Sequence, residues 1–517
     1  MANTQLFASQ RGRFVPKANA FNEAGGAAYQ RSPEAALALY AATGCLNGTF
    51  YSDAATQLAE VLGLCEAVSP QFVAQTALYA RKTAYMKDMP ALLLAHLAIR
   101  DGELLSKVFD RVIDNGRMLR NFVQIVRSGV VGRKSLGTLP KRLVQRWLEN
   151  ASIDAVMSAA IGEKPSLADV IRMVHPKPKD SEREALYAWL IGKPYKQEVL
   201  PLKVRELEAF KKEQGDVVPD LPFQYLTALP LKAQHWKDIA SRASWQATRM
   251  NLNAFARHGV FEDAALTART AARLRNAEAI QRAKVFPYQL MTAFRASSAA
   301  IPSAIVDALQ DAMEVATRNV PKVAGKVVVA VDVSGSMQSP VTGFRRGATS
   351  TVRCIDVAAL IAACLKRVNA DAHVIPFAEA VRECRLNPRD SVMTQAQQLV
   401  ALIGGGTKVS APLIELNKER SDVDLLVLVS DNQSWVDTRA SGGTETMRQW
   451  EELKQRCPKA RMVCIDLQPY VTSQAVESMD VLHVGGFTDA VFDLLASVAS
   501  EGTDARRWVE RVEAIAL

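Results

Sequence analysis

No apolar run in this 517-residue chain reaches the ~20 residues that a membrane-spanning helix needs, so no membrane partner is expected. The first residues, MANTQLFASQRGRFVPK, lack the apolar stretch of a secretory signal, which predicts a cytoplasmic protein. The seven cysteines (45, 65, 354, 364, 384, 457 and 464) contain no Cys-x-x-Cys pair and sit in apolar or mixed runs. They read as reduced thiols rather than a disulfide framework. The six histidines (96, 175, 235, 258, 373 and 483) never pair at the helix spacing of a zinc site, and His96, within Leu92–Ile99, reads as a core histidine. A Gly-x-Ser-x-Gly elbow is absent, and Gly404-Gly405-Gly406-Thr407-Lys408 reverses the Lys-Thr order of a phosphate-binding loop. Cys354 and Cys364 have no base at a partnering distance in sequence, and Asp356 reads as a helix cap. A binding protein, not an enzyme, is predicted.

What is present divides the chain in two. Its length exceeds one ordinary core, and 49% hydrophobic with 23% charged residues is a globular composition. Residues 1–320 hold 41 Lys+Arg against 30 Asp+Glu, a balance of +11. Residues 321–517 hold 22 against 24, a balance of −2. Such asymmetry points to a polyanionic partner for the first part. There, apolar residues recur at three- and four-residue spacing over Pro33–Ala42, Ser52–Leu64, Pro70–Tyr85, Pro90–Ile99, Glu103–Asp114 and Met118–Arg127, without strand-like alternation. Helix follows helix across short connections, the pattern of a HEAT-like all-α solenoid with degenerate repeats. From Pro321 the pattern becomes strand–helix alternation. Strands are predicted at Val327–Val333, His373–Phe377, Leu425–Ser430, Arg461–Asp466 and Val481–Val484, and helices at Ile355–Val368, Thr394–Leu402, Thr444–Gln455 and Asp489–Ser500. That is an open doubly wound α/β sheet, with the boundary near Asn319-Val320-Pro321.

The strand Lys326-Val327-Val328-Val329-Ala330-Val331 runs directly into Asp332-Val333-Ser334-Gly335-Ser336. Ligands of open α/β sheets gather beyond the carboxyl ends of strands, and one carboxylate with two hydroxyls suits a hard cation such as Mg²⁺. Thr407 ends a glycine loop and Asp431 ends a second buried strand. The order Asp332, Ser334, Ser336, Thr407, Asp431 resembles the metal-ion-dependent adhesion site of von Willebrand factor A domains. The resemblance implies one Mg²⁺ or other divalent cation, with a position open to an acidic side chain of a partner protein. Lys408, beside Thr407, places a cation where it could repel the metal.

Basic residues concentrate between Lys107 and Arg146, and no acid occurs from Arg127 to Arg146. Arg120, Arg127, Arg133, Lys134, Lys141 and Arg142 are candidate phosphate contacts, as are Arg172, His175 and Lys177 around Pro176 and Pro178.

The segment Arg172-Met173-Val174-His175-Pro176-Lys177-Pro178, the turn Gly48-Thr49-Phe50-Tyr51 and the stretch Val285-Phe286-Pro287-Tyr288-Gln289-Leu290 complete a second resemblance. From about Ala20 to Leu517 the chain resembles the Ro protein family, as a bacterial relative. The resemblance implies three regions: an N-terminal arm (1–19), a TROVE module of helical repeats closing into a ring (20–320), and a von Willebrand factor A-like domain (321–517). It further implies a ribonucleoprotein scaffold for RNA quality control or decay. Such a scaffold binds Y-type small RNA on its outside, with His175, Lys177 and Arg172 as contacts, and takes single-stranded ends of misfolded RNA. Polynucleotide phosphorylase is an implied partner. Residues 159–165 depart from the pattern, being shorter and less basic than in animal members. The competing reading is a metal-dependent protein–protein adaptor with no RNA ligand; salt-dependent binding of RNA with a single-stranded 3′ end separates the two.

Overall fold

The computed structural model describes residues 15–44, 46–213, 215, 218–221, 223–227, 229–283, 285, 287–344, 352–436, 443–486, 490–500 and 508–517. Cys45, Phe286, Asp489 and residues 1–14 of the expected N-terminal arm lie outside the described residues. By contacts, the chain forms two compact units. One contains the described residues up to Leu64, those from 285 to Ala296, and Gln310–Ala514. The other contains Cys65–Ala283, Ser297–Leu309 and Ile515–Leu517. The contacts thus draw the division differently from the change of periodicity near Pro321.

The second unit is helical among the described residues. Its helices begin at side-chain caps that the sequence supplies: Ser69 Oγ accepts from Phe72 N, Asp101 from Leu104 N, Asn115 from Met118 N, and Ser152 from Ala155 N. The apolar stripes meet in a core containing Phe109 and Phe122, whose rings lie edge to face at 5.2 Å. Gly116 is required where the Gly116–Ser128 and Ile153–Ala160 helices touch: a Cβ there would stand 1.9 Å from that of Ala159.

In the first unit, β3 (Val327–Asp332), β4 (His373–Phe377), β5 (Leu425–Ser430), β6 (Arg461–Asp466) and β8 (Val481–Gly485) form a parallel sheet ordered β4-β3-β5-β6-β8. Both faces are covered, which is why β3 and β5 are buried along their whole length. Unlike the sequence reading, the chain before Pro321 does contain strands: β1 (Ala20–Phe21) and β2 (Ala27–Gln30). They pair antiparallel, and β2 pairs in turn with β7 (Thr472–Ser473). Strands this short carry too little alternation to register as a pattern. Arg31 fastens this addition, its guanidinium donating to Asp466 Oδ2 at 2.7 Å and to Thr472 O at 3.3 Å.

Candidate functional sites

The five residues expected to hold a metal are placed by the ends of β3 and β5 and by the loop at 404–407. Asp332 closes β3, and the chain then turns through Ser334 into a short 3-10 helix, Gly335–Gln338. Backbone bonds tie the three segments together. Gly335 N donates to Gly405 O at 3.0 Å, Gly404 N to Val333 O at 2.8 Å, and Trp435 N to Thr407 O at 3.2 Å. A Cβ on Gly406 would meet Trp435 Cζ2 at 2.5 Å, so the indole packs over this loop only because position 406 is glycine.

All five side chains are buried. Ser334 N donates to Asp332 Oδ1 at 2.8 Å, the Ser334 and Ser336 hydroxyls lie 3.3 Å apart, and Gln433 N reaches Asp431 Oδ1 at 3.4 Å. Burial raises both carboxyls above the usual carboxylate range, and at Asp431 the charge of Asp332 raises it further. Two buried carboxylates that repel one another, with no cationic side chain paired to either among the described residues, are what a cation would stabilise. Three neutral hydroxyls complete an all-oxygen donor set, which fits Mg²⁺ better than a softer transition metal. No group of three or more His, Cys, Asp or Glu with metal-binding placement occurs among the described residues, so this hydroxyl-rich cluster is the candidate centre. Asp356 is not an additional ligand. It is fully buried, accepts from the backbone N–H of Arg353 in a capping box, and pairs with Arg295 and Arg353.

Sequence reasoning missed three neighbours. Ser430 donates to Asp332 Oδ2 at 2.5 Å and orients it; its position just before Asp431 was the available signal. Trp435 is 44% exposed beside the Thr407 loop. Tyr51 comes from nearly 300 residues upstream. The turn carrying it is laid on the chain after the 3-10 helix, Asn47 donating to Thr342 O at 2.7 Å and Phe344 N to Gly48 O at 2.7 Å. Its phenol bonds with the Ser336 hydroxyl, and burial followed by the Asp431 charge pushes that phenol up to about 12. Lys408 directs its backbone N–H to Ala378 O at 2.9 Å.

The nine candidate RNA contacts fall into different classes. Arg120 is buried, with its guanidinium donating to Ile161 O at 2.6 Å and Pro165 O at 3.3 Å. Arg133 folds onto Ser135 O (3.0 Å) and Ala98 O (3.2 Å) beneath Gly137, whose φ of 78° shapes the turn. Both guanidiniums already donate to backbone carbonyls, which sets these two candidates apart from the next four. Arg127, Lys134 and Arg142 are exposed and Lys141 is half-buried; none of the four side chains makes an ion pair or hydrogen bond among the described residues. They cluster at the end of the Gly116–Ser128 helix, in the loop after it, and in the first turns of the Thr138–Asn150 helix. That second helix has no acid in its first turn, so its N-terminal partial charge adds to theirs.

Arg172 is exposed in the last turn of the Leu167–Val174 helix, and His175 and Lys177 are exposed just beyond it. Arg172 donates to Ile191 O at 2.7 Å and lies 3.5 Å from Asp169. His175 ends the helix in the left-handed conformation, and its backbone N–H, not its imidazole, supplies the cap to Ile171 O. His96 is buried as expected, but its Nε2 makes no hydrogen bond among the described residues and faces Glu66 at 3.7 Å.

No helix among the described residues is long and apolar enough to cross a membrane. Residues 326–499 match the family model described as the Ro60 vWA domain. Over 513 residues the chain is 26% identical to the RNA-binding protein RO60 of Deinococcus radiodurans, with 92% of this chain and 94% of that protein covered. The crystal structure of the Deinococcus radiodurans RO (RSR) protein superposes with a TM-score of 0.64 at 21% identity, over 91% of this chain and all of the other.

Proposed function

We propose that this chain, whose residues 326–499 belong to the Ro60 von Willebrand factor A domain family, is an RNA-binding protein of the Ro type. The observation that carries this reading is the set of Arg127, Lys134, Lys141 and Arg142, four cations without side-chain partners among the described residues and without an acid in the intervening sequence. Solvated surfaces ordinarily mix signs, and unpaired cations gathered on one connection match successive phosphates. The similarity to a protein named for RNA binding supports the same conclusion.

In this reading the ligands are single-stranded ends of misfolded or damaged RNA, bound by the four cations, and Y-type small RNA, bound through His175, Lys177 and Arg172. The role is RNA quality control or decay, with polynucleotide phosphorylase or another RNA-processing protein as partner. Asp332, Ser334, Ser336, Thr407 and Asp431 would hold one Mg²⁺, which would supply a coordination position for an acidic side chain of that partner. Ser430 keeps Asp332 oriented toward the centre. The exposed Trp435 and Phe50 give the surroundings an apolar rim suited to a protein ligand at the metal site.

Replacing Arg127, Lys134, Lys141 and Arg142 together by alanine tests the RNA reading. Four lost phosphate contacts should flatten the log–log salt slope for a single-stranded RNA by roughly 3, at about 0.7 per phosphate. An unchanged slope and affinity would remove the cluster from the RNA site.

A further inference from the structure

A cavity of about 760 Å³ opens beside the Arg172–Lys177 segment, between the Leu167–Val174 and Ser181–Ile191 helices and the chain that follows them. The sequence drew attention to only one wall. The other is made by Lys193, Pro194, Tyr195 and Lys196, which come after the left-handed cap at Gly192. The Arg172–Lys177 wall and the Ser181–Ile191 helix are held in place from behind. Gln145 Nε2 donates to Val174 O at 2.6 Å, and Arg183 and the Tyr187 hydroxyl each donate to Leu148 O at 2.7 Å. Prolines at 176, 178 and 194 stiffen the rim.

The chemistry of the lining is mixed in a specific way. Ile171, Ala185 and Ile191 contribute apolar surface, Tyr195 is 40% exposed, and Arg172, His175, Lys193 and Lys196 ring the opening against one acid, Glu184. Arg172 spends one nitrogen on Ile191 O, while His175, Lys193 and Lys196 have no side-chain partner among the described residues. The volume falls within the roughly 300–1,000 Å³ of small-molecule sites. An aromatic face with several cations and a mostly apolar floor fits a planar base carrying a phosphate, the combination that single-strand binders use.

We propose that this cavity receives one unpaired nucleotide of a bound RNA, its base against Tyr195 and its phosphate among Lys193, Lys196 and His175. The proposal rests on the RNA-binding reading and adds to the segment picked out by sequence a second wall, Lys193–Lys196, that the sequence did not single out. A nucleotide extruded from a bulge or a strand end meets this requirement, whereas a paired base cannot enter without unpairing.

The probe is adenosine 5′-monophosphate or uridine 5′-monophosphate, titrated into the full chain and followed by NMR, with inorganic phosphate as control. Parallel measurements follow a Y-type RNA carrying an unpaired bulge, the ligand class assigned to the Arg172–Lys177 face. Tyr195→Ala should weaken nucleotide binding by about tenfold or more, as expected for the loss of one base–aromatic contact. Tyr195→Phe should retain binding, and the melting temperature should not move, since the ring is largely outside the core. Lys193→Ala with Lys196→Ala should weaken nucleotide and phosphate alike. If inorganic phosphate binds as tightly as the nucleotides, or Tyr195→Ala changes nothing, the nucleotide assignment is overturned. Nucleotide binding without RNA binding would defeat the RNA reading and leave the cavity's ligand standing; RNA binding unaffected by Tyr195→Ala, with no nucleotide binding, would do the reverse.

Discussion

Replacing Arg31 by alanine should loosen the sheet of the first unit far more than the loss of a surface ion pair would. The Arg31 and Asp466 side chains are only 5% and 3% exposed, and their contact at 2.7 Å is charge-assisted. Asp466 is also approached by His483 Nδ1 at 3.4 Å, while His483 Nε2 lies 3.0 Å from Ala475 O. Burial pushes the Asp466 carboxyl up, but the Arg31 charge and His483 outweigh it and leave it below the usual carboxylate range. A depressed carboxyl contributes stability above its unfolded value of about 3.9, and that contribution is lost as pH falls through the folded value. Without Arg31 the burial effect prevails, and the carboxyl should rise above its unfolded value. Breaking a buried pair from one side costs about 3–5 kcal/mol. Hydrogen exchange of β6 in the full chain reads this directly: protection at pH 7 should drop by roughly two to four orders of magnitude, at about 1.4 kcal/mol per tenfold. The deficit should shrink as pH falls and the orphaned Asp466 takes a proton. A loss below about 1 kcal/mol, against that buried-pair range, or a deficit that does not change with pH, would refute this reasoning.

Asp332→Ala should abolish Mg²⁺-dependent thermal stabilisation, measured by calorimetry with and without chelator, while RNA affinity stays near that of the parent. Lost RNA binding in a folded variant would make the metal part of the RNA site. Ser430→Ala, which leaves all five donors but frees Asp332 Oδ2, should weaken Mg²⁺ by about tenfold or more in the same titration. Gly116→Ala should destabilise the helical unit by about 1–3 kcal/mol in urea unfolding, since the added methyl meets Ala159 with no space to move into. His175→Ala should leave the melting temperature unchanged, because the helix cap is made by the backbone, and should lower affinity for Y-type RNA.

The sequence by itself determined the local elements and the order of the candidate metal ligands. β3 and β5 were legible because a strand buried on both faces must be continuously apolar, and Asp332 and Asp431 because each terminates such a run. The helices of the second unit were legible because an amphipathic stripe repeats every three or four residues and Ser, Asp or Asn marks its start. The tertiary structure decided which charges remain available. Arg120 and Arg133 look the same in sequence as Arg127 and Arg142, yet the first two lie over carbonyls that need donors and the second two face water. It also brought Tyr51 to Ser336 and Arg31 to Asp466, and added β2 to β7. Periodicity reports the environment of a residue relative to its own element. The partner of a side chain 280 or 430 positions away is selected only when the chain closes on itself, by the cost of leaving a buried charge, hydroxyl or strand edge unpaired.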